Sequence, residues 1–394
     1  MRTVLTATRL VTSDHIVERP VVVIEDGVIA DVFSLAHAQL PDGRHVDLPE
    51  STLIPALFDV HIHGSGGHDV MEATESALSH IGNFLARRGV GAYCATTVTA
   101  PFDSLLRALN GLARLIGTPL DGARPVGIHL EGPFLSPHKR GAHVESQLLT
   151  PSIALFDRMW DAAEGNIRVM TIAPELPNAE ETIAHATKLG VRVSLGHSNA
   201  NGDNARAGVM AGAVTATHTF NAMRRFDHRE PGLIGEVLGN DQLFAEIICD
   251  GLHVDPSVVR IFWKTKGPER AMLITDAMAG AGMPDGPYRL GEMEVRVKNG
   301  RCVIGEDTLA GSTLTLDRAL LNFMRFTGAS IAEVLPLATR NPARMTGLDS
   351  EIGVIAPGRS ADIAVLSMRN EIIGTILRGI PQLGPPGGDG YMNG

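Results

Sequence analysis

Two hydrophobic patterns divide the chain. From residue 3 to about 33 the apolar positions come in short β-like runs: TVLTATRLVT, a polar break at Ser13 and Asp14, then PVVVIEDGVIADVF with a turn at Asp26-Gly27. β-Branched runs punctuated by such a dipeptide predict hairpins. The far end repeats the style, with GVIAPGRSADIAVLS and EIIGTILRG reading as strands separated by a Pro357-Gly358 turn. The two ends are expected to pair into one small β-sandwich domain, residues 1–53 plus 353–382, around an inserted central region, 54–352. The tail, 383–394, ends in PPGGDGYMNG and has little to bury, so disorder is expected there.

The central region has a different rhythm. Eight short apolar or β-branched runs, ALFDVHIH, GAYCATTVTA, VGIHLEG, IRVMTIAPE, VRVSLGHS, AVTATHTFN, FAEIICDG and AMLITDAM, each end in a polar residue, and most are followed by a helix-like segment. Buried strands alternating with amphipathic helices predict an α/β fold, a (β/α)8 TIM-type barrel. In such a barrel chemistry sits at the C-terminal strand ends, which is where the polar residues fall. The segment YRLGEMEVRVKNGRCVIGEDTLAGS predicts a hairpin leading into a pocket loop.

Composition narrows the function. A chain of 394 residues, 44% hydrophobic and 20% charged, can bury one large core and a smaller one. No stretch approaches the roughly 20 uninterrupted apolar residues of a membrane helix, and the start, MRTVLTATRLVTSDH, lacks a signal-peptide core. The expectation is a cytoplasmic protein that engages no membrane. A net charge of −10 argues against a general nucleic-acid binder and requires any anionic substrate to be held by local cations. Cys94, Cys249 and Cys302 lack metal-type spacing and read as buried thiols without disulfides.

His61 and His63 sit two apart at the end of the first run, so in a strand both project to one face. Alone, an H-x-H pair says little. Glu131 ends the third run, His197 the fifth, His218 the sixth and Asp276 the eighth, all at the same end of the predicted barrel. Buried acids and imidazoles converging without a cation would leave uncompensated charge or unpaired polar groups, so these donors predict a metal site. Nitrogen and carboxylate donors suit Zn²⁺, Fe²⁺, Co²⁺ or Mn²⁺. Glu131, His197 and His218 can hold one ion, and His61 and His63 a second bridged through Glu131. Asp276 reads either as general base or as a further metal ligand.

The segments HIHG, HLEGPF, KRGAH, LGHS, THTFNAM, CDGLHV, TDAM, LAGS and GVIAPGRSADIAVL together resemble the N-acetylglucosamine-6-phosphate deacetylases of the amidohydrolase superfamily, over essentially the whole chain except the tail. The resemblance implies hydrolysis of the acetamide of the sugar phosphate to an amino-sugar phosphate and acetate. It implies ligation by Glu131, His197 and His218, with Asp276 as catalytic acid and base and His143 polarising the substrate carbonyl. Ala142, Asn221, Ala222, Arg229, Asp250, Gly251, His253, Leu309, Ala310 and Gly311 match positions that line the sugar-phosphate pocket in that family. Arg229 and His253 are the candidates for the phosphate, a guanidinium gripping two oxygens and an imidazole a third. A homodimer is implied too. Retention of both His61 and His63 matches family members that use two metals.

Overall fold

The computed structural model describes residues 2–12, 15–36, 39–305 and 307–382. The polar break at Ser13 and Asp14 and the tail lie outside the described residues.

Eight parallel strands form one sheet in chain order: Leu57–Ile62, Val90–Thr97, Arg124–Glu131, Ile167–Ile172, Arg192–Leu195, Ala213–Ala216, Phe244–Ile248 and Ala271–Ile274. They are the eight runs read from the sequence. The first and last meet beyond their ends, where the Asp276 N–H donates to the His61 carbonyl at 2.9 Å and the His63 N–H to the Ala277 carbonyl at 2.8 Å, closing a (β/α)8 barrel. Every residue of Leu57–Ile62 and of Val90–Thr97 is buried. Strands covered on both faces read as continuous apolar runs, which is why these segments stand out.

A helix follows each barrel strand and covers it. In Phe102–Leu115 the buried positions Leu105, Ala108, Leu109, Leu112 and Ala113 recur at helical spacing, and this stripe packs on the barrel. Asn201 caps Gly202–Ala211 by accepting from the Asn204 N–H, and Ser152 caps Ile153–Ala162 by accepting from the Leu155 N–H.

The chain ends share a second sheet. Arg44–Pro55 lies parallel to Arg2–Val11 on one side and antiparallel to Ile363–Ser367 on the other. Pro20–Glu25 and Val28–Ser34 extend one edge, and Ile372–Leu377 and Ile380–Gln382 the other. Asp26 and Gly27, both at positive φ (49° and 82°), make the two-residue turn between Glu25 and Val28. Such a turn matches the right-handed twist of its strands. One step past Pro55 the chain enters the first barrel strand, so the sheet is joined directly to the strand that ends in His61 and His63.

After the eighth strand the chain builds a four-stranded antiparallel sheet, Gly286–Leu290, Met293–Lys298, Arg301–Ile304 and Thr308–Leu309. The sequence predicted one hairpin here. The short fourth strand pairs with Arg301–Ile304 and delivers Leu309, Ala310 and Gly311 to the mouth of the barrel. Cys94, Cys249 and Cys302 are buried free thiols. No helix among the described residues is long and apolar enough to cross a membrane.

Candidate metal centre and its pocket

Glu131, at the end of the third strand, is the hub of the site. Its Oε1 lies 3.4 Å from His61 Nε2, 3.3 Å from His197 Nε2 and 3.2 Å from His218 Nε2. Its Oε2 lies 3.2 Å from His63 Nε2 and 3.5 Å from His143 Nε2. Asp276 Oδ1 closes the other side, 3.5 Å from His61 Nε2 and 3.1 Å from His63 Nε2. His61, His63 and Asp276 form one group of donors close enough to share an ion, and Glu131 with His143 and His197 another. All six are buried.

The backbone presents these side chains under strain. His197, His218 and Asp276 have φ of 45°, 29° and 49°, a region costly for side chains other than glycine. Neighbouring contacts hold them there. The Asp276 N–H is bound by His61, and its carbonyl accepts from the Ser312 N–H at 2.7 Å. Beyond His197, the Glu175 carboxylate accepts from the Ser198 hydroxyl at 2.8 Å and the Asn199 N–H at 2.6 Å.

Hydrogen bonds on the far side of each ring sort the histidines into two kinds. His63 Nδ1 meets the Thr96 carbonyl at 3.2 Å and His197 Nδ1 the Lys139 carbonyl at 2.9 Å. A carbonyl only accepts, so both rings carry their proton on Nδ1 and turn the Nε2 lone pair into the site. His61 Nδ1 faces the Glu246 carboxylate at 3.1 Å with the same consequence, and its buried Nε2 has no hydrogen-bond partner. His143 is reversed. Its Nδ1 accepts from the Thr99 N–H at 3.3 Å and sits 2.8 Å from the Thr99 hydroxyl, which leaves the proton on Nε2, facing the site. His143 is therefore built as a donor, and His61, His63 and His197 as ligands.

The electrostatics show how strongly the site calls for positive charge, which protons on His61 and His63 supply in competition with a cation. Burial opposes charge on His61 and His63, yet the Glu131 and Asp276 carboxylates outweigh it, lifting His61 well above the usual histidine range and His63 to about 9. Burial holds His197 neutral, down to about 4. Against the cost of burial, His61 and the neighbouring imidazoles keep the Glu131 carboxyl well below its usual range. His218 Nε2 and His197 Nε2 lie 3.0 Å apart. Two buried carboxylates demand positive charge, and a divalent cation that displaces the protons of His61 and His63 meets that demand, so the residues fit a metal.

The cavity above the centre is lined by His63, Glu131, His143, His197, His218 and Asp276, together with Ala142, Asn221, Ala222, His253, Leu309, Ala310 and Gly311. Of the candidate site residues read from the sequence, four stand apart from this lining: His61, fully buried behind it, and Asp250, Gly251 and Arg229. Asp250 supports His253, its Oδ2 lying 2.7 Å from His253 Nδ1. Gly251 occupies the turn between them at φ 80°. Arg229 is exposed, in a turn where its own N–H donates to Asp227 Oδ1 at 2.8 Å.

Sequence reasoning missed Leu290 and Met293, which line the cavity from the four-stranded sheet, and Thr99, which sets the His143 tautomer. It also passed over Glu246, which lies buried in the seventh strand beneath the site. The available signal was a lone acid inside an apolar strand, FAEII.

Comparison with known proteins agrees with this geometry. The chain is 37% identical to the N-acetylgalactosamine-6-phosphate deacetylase of Escherichia coli O157:H7, covering 93% of this chain and 95% of that protein. It is 33% identical to the N-acetylglucosamine-6-phosphate deacetylase of Bacillus subtilis (strain 168), covering 94% of each. Among solved structures, an alanine variant of N-acetyl-D-glucosamine-6-phosphate deacetylase from Mycobacterium smegmatis, in complex with N-acetyl-D-glucosamine-6-phosphate, superposes with a TM-score of 0.92 at 35% identity, covering 97% of this chain and 99% of that one. The family model described as the amidohydrolase family matches residues 52–381, and the chain belongs to that family.

Proposed function

We propose that the protein hydrolyses the acetamide of N-acetylglucosamine 6-phosphate, releasing glucosamine 6-phosphate and acetate. The observation that carries this reading is the sorting of the histidines around Glu131: ligand nitrogens turned inward from His61, His63 and His197, and one donor, His143, facing the same space. Hydrolysis of an amide by a metal-activated water draws on that combination.

Glu131, His197 and His218 would hold one divalent ion, drawn from Zn²⁺, Fe²⁺, Co²⁺ and Mn²⁺, and His61, His63 and Asp276 a second. Bound there, a metal supplies Lewis acidity, making water a stronger acid and drawing electrons from the amide carbonyl. Asp276 accepts the proton of the attacking water and passes it to the leaving nitrogen. His143 donates its Nε2–H to the carbonyl oxygen as negative charge grows on it. His253, charged through Asp250, meets the phosphate, with Ala142, Asn221, Ala222, Leu309, Ala310 and Gly311 around the sugar. Arg229 lies outside the cavity lining, so its contact with phosphate requires its loop to close or a neighbouring subunit to bring it; a homodimer is part of this proposal, as is a cytoplasmic location.

A second reading changes the sugar. The 37% identity to an N-acetylgalactosamine-6-phosphate deacetylase favours the 4-epimer as a substrate. Acetate release separates the two. Chelated enzyme restored with each metal in turn is assayed on both phosphorylated epimers and on unphosphorylated N-acetylglucosamine. Metal-dependent release with preference for the gluco phosphate is expected. Preference for the galacto epimer selects the second reading, and release from neither phosphate rejects both.

A further inference from the structure

We propose that Glu246 is a positioning residue that keeps His61 a metal ligand, so that the donor set of His61, His63 and Asp276 binds a cation tightly only while Glu246 accepts a hydrogen bond from His61 Nδ1. The inference rests on the metal reading above and goes beyond it to a residue that does not itself reach the cation.

Glu246 projects from the middle of the seventh strand, Phe244–Ile248, and is fully buried. Its Oε2 faces His61 Nδ1 at 3.1 Å and accepts from the His218 N–H at 3.2 Å, while its Oε1 has no hydrogen-bond partner. No lysine or arginine forms an ion pair with it among the described residues; its one charge-bearing partner is His61. An isolated buried carboxylate is costly, and a packed apolar side chain would suit this strand better unless the acid had work to do.

That work is visible in the competition for one proton. His61 Nε2 lies 3.4 Å from Glu131 Oε1 and 3.5 Å from Asp276 Oδ1. A ring free to choose would put its proton on Nε2, between those two carboxylates, and lose the lone pair a metal needs. Glu246, closer at 3.1 Å, claims the proton on Nδ1 instead. Among the described residues His61 Nδ1 has no second hydrogen-bond partner. The His129 ring lies 4.6 Å away, but its nitrogens are occupied by the Val60 carbonyl at 3.0 Å and the Thr171 hydroxyl at 2.8 Å. The same Oε2 holds the backbone of His218, so one carboxylate braces ligands of both halves of the centre.

The test is cation affinity, read without turnover. Metal-free full-length protein is titrated with Zn²⁺ or Co²⁺ against a chromophoric chelator, for the unsubstituted chain, E246A, E246L and E246Q. Alanine and leucine are expected to weaken the His61-dependent cation by about 10–100-fold, the usual cost of losing such a partner. Glutamine, whose amide oxygen can still accept from Nδ1, is expected to keep most of the affinity. In an H61A background, E246L is expected to cost the site of His63 and Asp276 nothing further, any change through the His218 backbone falling on the other ion. E246L holding cations as tightly as the unsubstituted chain overturns this inference alone, and so does an equal loss with and without His61, which would mark a general packing role. Should both apolar variants fail to fold, E246Q decides: a loss as large as that of H61A overturns the inference. If the unsubstituted chain binds no cation tightly, the metal reading falls with it.

Discussion

His253 Nδ1 and Asp250 Oδ2 lie 2.7 Å apart, and this pair sets a titratable imidazole at the lining of the pocket. Burial opposes charge on His253, but the Asp250 carboxylate outweighs it and raises the imidazole above its usual range. Asp250 also accepts from the His253 N–H at 2.9 Å, fixing the turn as well as the charge. A histidine raised in this way is charged below its folded pKa and loses its charge as pH rises through it. Asn at position 250 keeps the shape and removes the charge, leaving burial opposed only by the weaker pull of the Asp276 carboxylate. D250N is therefore expected to lose the phosphate contact at lower pH: KM for the sugar phosphate begins its rise earlier on the pH axis, while kcat at saturation changes little. Superimposable KM profiles would remove His253 from the phosphate site.

Thr99 and His143 make a separable claim about the carbonyl oxygen. Because the Thr99 N–H donates to Nδ1, the ring can only donate from Nε2 while it is neutral. Removal of one such donor typically costs about 10²–10³ in kcat. H143A is expected to fall by that factor with its cation content unchanged. Loss of cation in parallel with activity would make His143 a ligand instead, as its 3.5 Å approach to Glu131 Oε2 would allow.

Asp276 admits the sharpest separation of roles. Its Oδ1 is 3.1 Å from His63 Nε2, near enough to share a cation, and its strained backbone aims the carboxylate at the cavity. A general acid and base placed there would contribute about 10²–10⁴ to the rate. D276N keeps an oxygen in place and abolishes the proton shuttle. The expected result is a loss of kcat by that factor, with KM and cation stoichiometry close to those of the unsubstituted enzyme. A variant whose activity returned with excess metal would show that ligation was the whole role.

Much of this site could be read before any coordinates. Barrel strands buried on both faces are mostly apolar, so Glu131 at the end of its strand, and His197, His218 and Asp276 two residues past theirs, stand out as polar groups. Period-two geometry puts His61 and His63 on one face, and the structure sets both Nε2 atoms beside Glu131 and Asp276. Residues acting one layer out left weaker traces. Glu246 looks like an anomaly inside a strand, and its meaning depends on which ring crosses the barrel to reach it. Thr99 acts partly through its backbone N–H, which every residue type except proline carries. Leu290 and Met293 reach the cavity from a sheet whose placement depends on tertiary packing. For Arg229 the resemblance supplied a role, whereas its local turn puts it on the surface.

Gly82 links the outer helices to this centre through packing. It lies in Glu75–Ala86, where replacing an exposed glycine by alanine would gain about 1 kcal/mol of helix propensity. Here a Cβ would sit 2.6 Å from the backbone carbonyl oxygens of both Asp121 and Ala123. The Ala123 N–H also donates to the Gly82 carbonyl at 2.9 Å, so that segment cannot back away without breaking a buried bond. One residue later begins the strand that ends in Glu131. Overpacking against fixed backbone costs about 1–3 kcal/mol, and adding the lost hydrogen bond makes it outweigh the propensity gain. G82A is thus expected to lower the thermal unfolding midpoint and to weaken cation binding as the third strand shifts. Gly239, exposed at the end of Gly232–Gly239 with nothing within 4 Å of its would-be Cβ, is the control: G239A is expected to leave the midpoint unchanged or raise it. Equal midpoints for the two variants would mean that the turn at Asp121 to Ala123 yields freely and does not brace the strand carrying Glu131.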